Sequence, residues 1–250
     1  MSVGEVLTIA LAGLAAGAIN TVVGSGTLIT FPVLLAFGYA PVTANVTNSI
    51  GLVPGSASAA FGYRRELAGQ RRRVLRLGSA SVLGGVIGAV LLLVAPAAAF
   101  KAIVPVFIAL ALVLVVVQPR LNVLVVRHIG ERPHGGGVLL AAAIFATGIY
   151  GGYFGAAQGI MLLGLLGVLL PQSLHRTNAL KNVLAGLVNG VAGVYFIFAA
   201  SVQWGPAAII AGGSILGAVL GARYGRRLSP DVLRAVIVLV GVVAIVHLLA

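Results

Sequence analysis

The chain has no cysteine, which excludes disulfides, thiolate metal sites and a cysteine nucleophile. Acidic residues are almost as scarce: Glu5, Glu66, Glu131 and Asp231 stand against 16 lysines and arginines, a formal net charge of +12. All four acids fall at segment ends or in loops, so the carboxylate relay that marks many pumps is missing from the spans. For the same reason metal cations are poor candidates for cargo, with neither acidic nor thiolate ligands to meet them. No Walker sequence is present, so direct use of ATP requires a partner subunit. Met1 to Ala10 carries Glu5 and no basic residue, so the positive start of a cleavable signal is absent and the first segment is expected to stay.

What the chain has in abundance is apolar surface. It is 60% hydrophobic and 8% charged, with a mean hydropathy of +1.14, whereas soluble domains carry about 25% charged residues. It therefore reads as an integral membrane protein. The arginines sit in short turns between apolar runs and not on a basic helix interleaved with aromatics, which argues against nucleic acid as a partner and for topology signals facing anionic lipid.

Full-length helices are predicted at 5–23, 42–62, 77–95, 100–118, 138–155, 176–200, 204–222 and 231–249, each near the ~20 residues of a span. Two further apolar pieces, Leu28 to Phe37 and Ile160 to Leu170, are short enough to be either re-entrant or crossing. Four-residue glycine spacings at Gly13 and Gly17, Gly84 and Gly88, and Gly213, Gly217 and Gly221 mark helix contact faces.

The two halves are weak copies of each other. Gly17 and Gly24 recur at an offset of 131 as Gly148 and Gly155, and Pro41, Thr47 and Asn48 recur at an offset of 130 as Pro171, Thr177 and Asn178. The basic loop Arg64 to Arg76 follows the third segment of its half, whereas Arg223 to Arg227 follows the fourth of the other. If positive loops face the cytoplasm, the copies sit upside down relative to each other. The expected fold is an all-α polytopic membrane protein of two inverted-topology repeats, residues 1–118 and 138–250. Each repeat has about five segments, and a cytoplasmic linker at 119–137 joins them. Both termini are then periplasmic, and the protein sits in the inner membrane.

Each repeat opens on a glycine-broken helix end: Asn20, Thr21, Gly24, Ser25, Gly26 and Thr27 in one, Gly148, Gly151, Gly152, Gly155, Gln158 and Gly159 in the other. Such breaks free backbone amides, and the short helix that follows turns its positive end toward them, a place for an anion. A polar cluster follows in a long helix of each half. The first is Asn45, Thr47, Asn48 and Ser49; the second is Thr177, Asn178, Lys181 and Asn182, with Asn189 beyond. Asn178, Lys181, Asn182 and Asn189 share one helix face. The candidate substrate site is Asn20, Gly24, Ser25, Gly26, Thr47, Asn48, Gly155, Gln158, Thr177, Asn178, Lys181 and Asn182. Two alternatives stand beside it: the asparagines serve as interhelical glue, and Lys181, about one turn into its helix, snorkels to the interface.

A glycine-rich break, a short segment holding Pro32, and a Thr/Asn-bearing helix, repeated around a central loop, resemble the sulfite exporter TauE/SafE family of membrane permeases. The carriers are Gly17 to Pro32 with Ala44 to Ser49, and Gly148 to Gly159 with Thr177 to Asn182. The second copy departs from the pattern at Ala156, Ala157 and Gln158, and no proline matches Pro32. The resemblance implies movement of sulfite, sulfoacetate, taurine-related compounds or other small sulfur and carboxylate anions across a bacterial inner membrane. Expected partners are that anion and the lipid bilayer, with a homo-oligomer open; no cofactor, metal or catalytic residue is expected. An intramembrane serine hydrolase built on Gly24-Ser25-Gly26 would need a base, yet the histidines lie in the other half or the linker. A carrier of another substrate class and a structural or assembly role in the membrane are the remaining alternatives.

Overall fold

The computed structural model describes residues 1–127, 137–170, 172–224 and 230–249, with the side chains of 121–127, 230–233, 236 and 247–249 left aside. Pro171, Arg226, Arg227, Ala250, the stretch 128–136, which includes Glu131 and Arg132, and the His247 side chain lie outside the described residues.

Ten helices and no strands make up the described chain. They are α1 (Val3–Val22), α2 (Thr27–Ala36), α3 (Pro41–Gly62), α4 (Arg71–Val94), α5 (Ala97–Arg127), α6 (Gly137–Tyr153), α7 (Gln158–Leu169), α8 (Leu174–Ala199), α9 (Trp204–Tyr224) and α10 (Pro230–Leu249). This is an all-α polytopic membrane protein, with α2 and α7 as the two short segments. Five helices, α1, α4, α5, α8 and α9, are long and apolar enough to cross a bilayer by themselves. α3 has 22 residues but spends its buried face on Asn45, Thr47, Asn48, Ser49 and Ser56, a face tolerable only inside a bundle. α6 has 17 residues. α5 runs past its expected end at 118 to Arg127, carrying Pro119 within it.

Start signals follow local chemistry. The Ser2 hydroxyl accepts from the Glu5 amide at 3.1 Å and caps α1, and Pro41 opens α3 where its missing N–H costs nothing.

Glycine decides the tightest packing. A Cβ on Gly17 would lie 2.2 Å from the Ser214 carbonyl oxygen, and one on Gly217 would lie 2.0 Å from that of Leu14. α1 and α9 therefore touch backbone to backbone, with Gly13, Gly213 and Gly221 on the same seam. α4 and α6 do likewise, Gly84 against Phe145 and Gly88 against Ile149, with Gly148 and Gly152 opposite. Without a hydrophobic drive between helices in lipid, such approach supplies the dispersion contact. Exchanging α1–α5 with α6–α10 turns the α1/α9 pair into α6/α4. It also turns α3/α9 into α8/α4, and α2/α10 into α7/α5. The main partners of α1 and α4 lie in the other half, so the halves interlock.

Two ends of the bundle can be told apart. At one, the Tyr39 hydroxyl donates to Glu5 Oε1 at 2.8 Å, so α2 returns to the level where α1 began. Burial pushes the Tyr39 phenol up from its ordinary value, and the Glu5 carboxylate adds to that. At the other end, Arg73 donates to Gln172 Oε1 at 3.1 Å and Arg176 to the Ala68 carbonyl at 3.0 Å. α3 spans the distance between them, about 33 Å for its length.

Candidate functional site

Both helix breaks are built the same way. At the end of α1 the amides of Val23 and Gly24 converge on the Ile19 carbonyl at 2.7 and 3.0 Å, with Gly24 at φ +91°. At the end of α6 the amides of Phe154 and Gly155 converge on Tyr150 at 2.9 and 3.1 Å, with Gly155 at φ +75°. This closure takes the left-handed conformation that glycine adopts at little cost. It leaves the carbonyls of Asn20 and Thr21, and of Gly151 and Gly152, beyond the helix ladder. α2 then starts with Leu28 and Ile29 bonding back to Ser25 and Gly26, so the amides of Ser25, Gly26 and Thr27 lie outside its ladder. α7 starts after Ala157, whose φ of 59° is unusual for a residue with a Cβ.

The two breaks meet inside the protein. The Gly159 amide donates to the Gly24 carbonyl at 3.0 Å. A Cβ on Gly24 would sit 2.5 Å from Gly159 Cα, and one on Gly159 would sit 2.4 Å from Gly24 Cα. Beside this contact lie Ser25 and Gln158, 1% and 3% exposed. Ser25 Oγ and Gln158 Nε2 are buried without a hydrogen-bond partner among the described residues. The Gln158 amide folds over Gly151, where a Cβ would come within 2.3 Å of it.

Lys181 belongs to the same region. Its side chain is 1% exposed, and Nζ donates to the Asn20 carbonyl at 2.9 Å and the Thr21 carbonyl at 3.2 Å. It is buried inside the bundle, against main-chain carbonyls of α1. Asn178 and Asn182 donate to the same Thr21 carbonyl at 3.1 and 3.4 Å. Three side chains of α8 thus cap the negative end of α1, where a cation is favoured. Two of the three ammonium hydrogens are spent there and one remains.

The other expected residues divide. Asn48 holds the first turn of α2, donating to Thr27 Oγ1 at 3.2 Å and accepting at Oδ1 from the Thr30 hydroxyl. Gly26 lets that turn lie against α1, since a Cβ there would be 2.6 Å from the Ala16 carbonyl oxygen. Thr47 Oγ1 accepts from the Gln203 amide at 3.1 Å, and the Thr177 hydroxyl donates back to Ser173 O at 3.1 Å, so neither joins the meeting point by its hydroxyl. Asn20, expected in the site as part of the first break, takes part through its main-chain carbonyl, which accepts from Lys181. Thr21, placed in the break but not in the candidate site, and Tyr153 receive α8 and α3 side chains on their carbonyls, and main-chain acceptors leave no mark in residue identity.

The whole chain, and not the breaks alone, has counterparts elsewhere. The family described as Sulfite exporter TauE/SafE matches residues 9–248. The chain belongs to that family. Among similar proteins, a "Probable membrane transporter protein ORF9" of Sinorhizobium sp is 30% identical over 242 residues, covering 96% of this chain and 90% of its own length. "Probable membrane transporter protein YfcA" of Escherichia coli K12 is 27% identical over 235 residues, 94% of this chain and 86% of that one. A "Probable membrane transporter protein" of Haemophilus influenzae is 28% identical over 230 residues, 91% and 88% of the two lengths. No solved structure matches the chain. Membership in TauE/SafE makes this a membrane transporter family protein.

Proposed function

We propose that the protein is a multi-pass permease that carries small anions, namely sulfite, organosulfonates or related sulfur and carboxylate compounds, across the inner membrane by alternating access. The observation that carries this reading is the pair of buried, unpartnered donors, Ser25 Oγ and Gln158 Nε2, flanking the Gly24–Gly159 contact. Buried polar atoms without partners are costly, and both of these can donate to an oxyanion. The amides that open α2 point the same way, and the Lys181 ammonium adds the positive charge a desolvated anion needs.

The two halves act as inverted repeats in this reading. The pairing of helices maps onto itself when the halves are exchanged. Odd numbers of segments per half turn the second over, as in other carriers that hold substrate where two broken helices meet. The end that gathers Arg73 and Arg176 is cytoplasmic by the positive-inside rule, and the end with Glu5 and Tyr39 is periplasmic. A reporter fused after residue 250 is expected to be active only on the periplasmic side; cytoplasmic activity would reject this orientation.

Transport itself is tested in proteoliposomes loaded with labelled sulfite, sulfoacetate or a small carboxylate under an imposed pH gradient. Saturable movement of at least one of these anions, lost on heat-denaturing the protein, is the expected result. Movement of neutral or cationic solutes alone would point to another substrate class, and movement of none to a structural role in the membrane.

A further inference from the structure

The two helix breaks share a backbone but their ends are met differently. Because Val23 and Gly24 bond Ile19 as Phe154 and Gly155 bond Tyr150, Asn20 and Thr21 correspond to Gly151 and Gly152 at the same offset of 131. The first pair of carbonyls receives a cation, the Lys181 ammonium, and two amide groups. Among the described residues no donor reaches the carbonyls of Gly151 or Gly152.

α3 is the helix placed to meet this second end, as α8 meets the first. Its residue in the place of Lys181 is Gly51, at the offset of 130, which brings no charge. What α3 offers is Asn45, fully buried at 0% exposure, whose Nδ2 donates to the Tyr153 carbonyl at 2.9 Å. Its Oδ1, held at the same helix end by that bond, is buried and has no partner among the described residues. Free main-chain oxygens at the negative pole of a helix, joined by an orphaned amide oxygen, form a group of acceptors to which no donor is hydrogen-bonded among the described residues.

We propose that the end of α6 is a binding site for a monovalent alkali cation, Na⁺, held by the carbonyl oxygens of Gly151, Gly152 and Tyr153 and by Asn45 Oδ1. The ion takes the place that the Lys181 ammonium fills in the other half. All of these oxygens are neutral. Divalent cations are held by carboxylates, and no group of three or more acidic, histidine or cysteine side chains occurs among the described residues. Unlike the tethered ammonium, the bound ion exchanges with solution. In the anion-transport reading it is the co-transported charge, but its binding does not depend on that reading.

The test measures binding without any anionic substrate. The full chain is purified in detergent and its thermal unfolding followed against NaCl, with choline chloride holding ionic strength constant and LiCl and KCl as comparators. Na⁺ is expected to raise Tm saturably and choline is not. Asn45→Ala should weaken the apparent Na⁺ affinity by about tenfold or more, since losing even an indirect partner of a bound metal costs about that much. Asn45→Asp should strengthen it, because a carboxylate replaces the neutral oxygen. A purely structural Asn45 would be damaged by both changes with no Na⁺ dependence in either. An equal rise with choline, or an unchanged Na⁺ response in Asn45→Ala, would overturn the site. Should Asn45→Ala fail to fold, the sign of the Asn45→Asp effect decides. Loss of the Na⁺ response with anion uptake intact rejects only the cation site, and the converse rejects only anion transport.

Discussion

Gly24→Ala is expected to reduce anion uptake below about a tenth of the parent rate at matched expression, with a destabilisation of about 2–5 kcal/mol from left-handed strain and overpacking together. The added Cβ would stand 2.5 Å from Gly159 Cα and 2.7 Å from its carbonyl carbon, backbone atoms that no rotamer change can move. The residue also sits at φ +91°. Relief requires the two helix breaks to separate, and the buried donors beside them separate too. Gly38 is the control, because it shares a positive φ of +83° and has nothing within 4 Å of a built Cβ. Gly38→Ala pays strain alone, about 1–2 kcal/mol, and should keep transporting. Gly159→Ala separates the remaining variable, since it meets Gly24 Cα at 2.4 Å and its φ is not positive. Equal uptake in Gly24→Ala and Gly38→Ala would show that the meeting of the breaks is irrelevant to transport.

Lys181→Met should be nearly as damaging. Removing the ammonium deletes two hydrogen bonds from a charged donor to the Asn20 and Thr21 carbonyls, at 2.9 and 3.2 Å. Hydrogen bonds to charged groups contribute about 1.5–3 kcal/mol, so a 10- to 100-fold loss of uptake at low substrate is expected by the usual ~1.4 kcal/mol per tenfold. Methionine fills much of the same volume, which limits cavity effects. If the third ammonium hydrogen contacts the anion, the half-saturating concentration rises; if Lys181 only positions the end of α1, the maximal rate falls at an unchanged half-saturating concentration. Lys181→Arg retains the charge but brings a planar fork into a fully buried place, so partial recovery is expected, short of the parent. Parent-like uptake by Lys181→Met would remove α8 from the site. Asn178→Ala is the milder companion, because Asn182 still donates to Thr21.

Much of this architecture was legible beforehand because membrane helices announce themselves by length and apolarity. The ten segments, the two short ones and the glycine seams appear close to where the pattern placed them, except that α4 begins at Arg71 and not at 77, which puts Arg71, Arg72, Arg73 and Arg76 of the expected basic loop on its first turns. Gly13, Gly17, Gly213 and Gly217 were readable as contact faces, though not as faces of one contact. That pairing joins residues about 200 positions apart, and nothing local encodes it. The extension of α5 to Arg127 was missed, since Pro119 reads as a helix end by its own chemistry.

The polar residues were harder to assign. Asn45, Thr47 and Asn48 stand within one turn of α3, and the tertiary structure sends them to three partners: the end of α6, the Gln203 amide and the first turn of α2. A 100° step between neighbours on a helix is enough to separate their environments. Lys181 left two readings open in the sequence, snorkelling or facing inward, because depth along α8 alone does not choose between them. The end of α1, fixed across the bundle by α9, brings free carbonyls to that depth and gives the ammonium a partner.

Composition and periodicity by themselves determined that the chain is an all-helical membrane protein, where its helices break, and which residues are too polar to face lipid. These follow from solvation, which acts on each residue and each turn separately. Only the tertiary structure decided that the breaks touch at Gly24 and Gly159, that α8 caps α1 while Asn45 reaches α6, and that Ser25 and Gln158 are left as buried donors. A hydrogen bond or a backbone contact depends on ångström distances between groups far apart in the chain, and those distances exist only once the helices have packed.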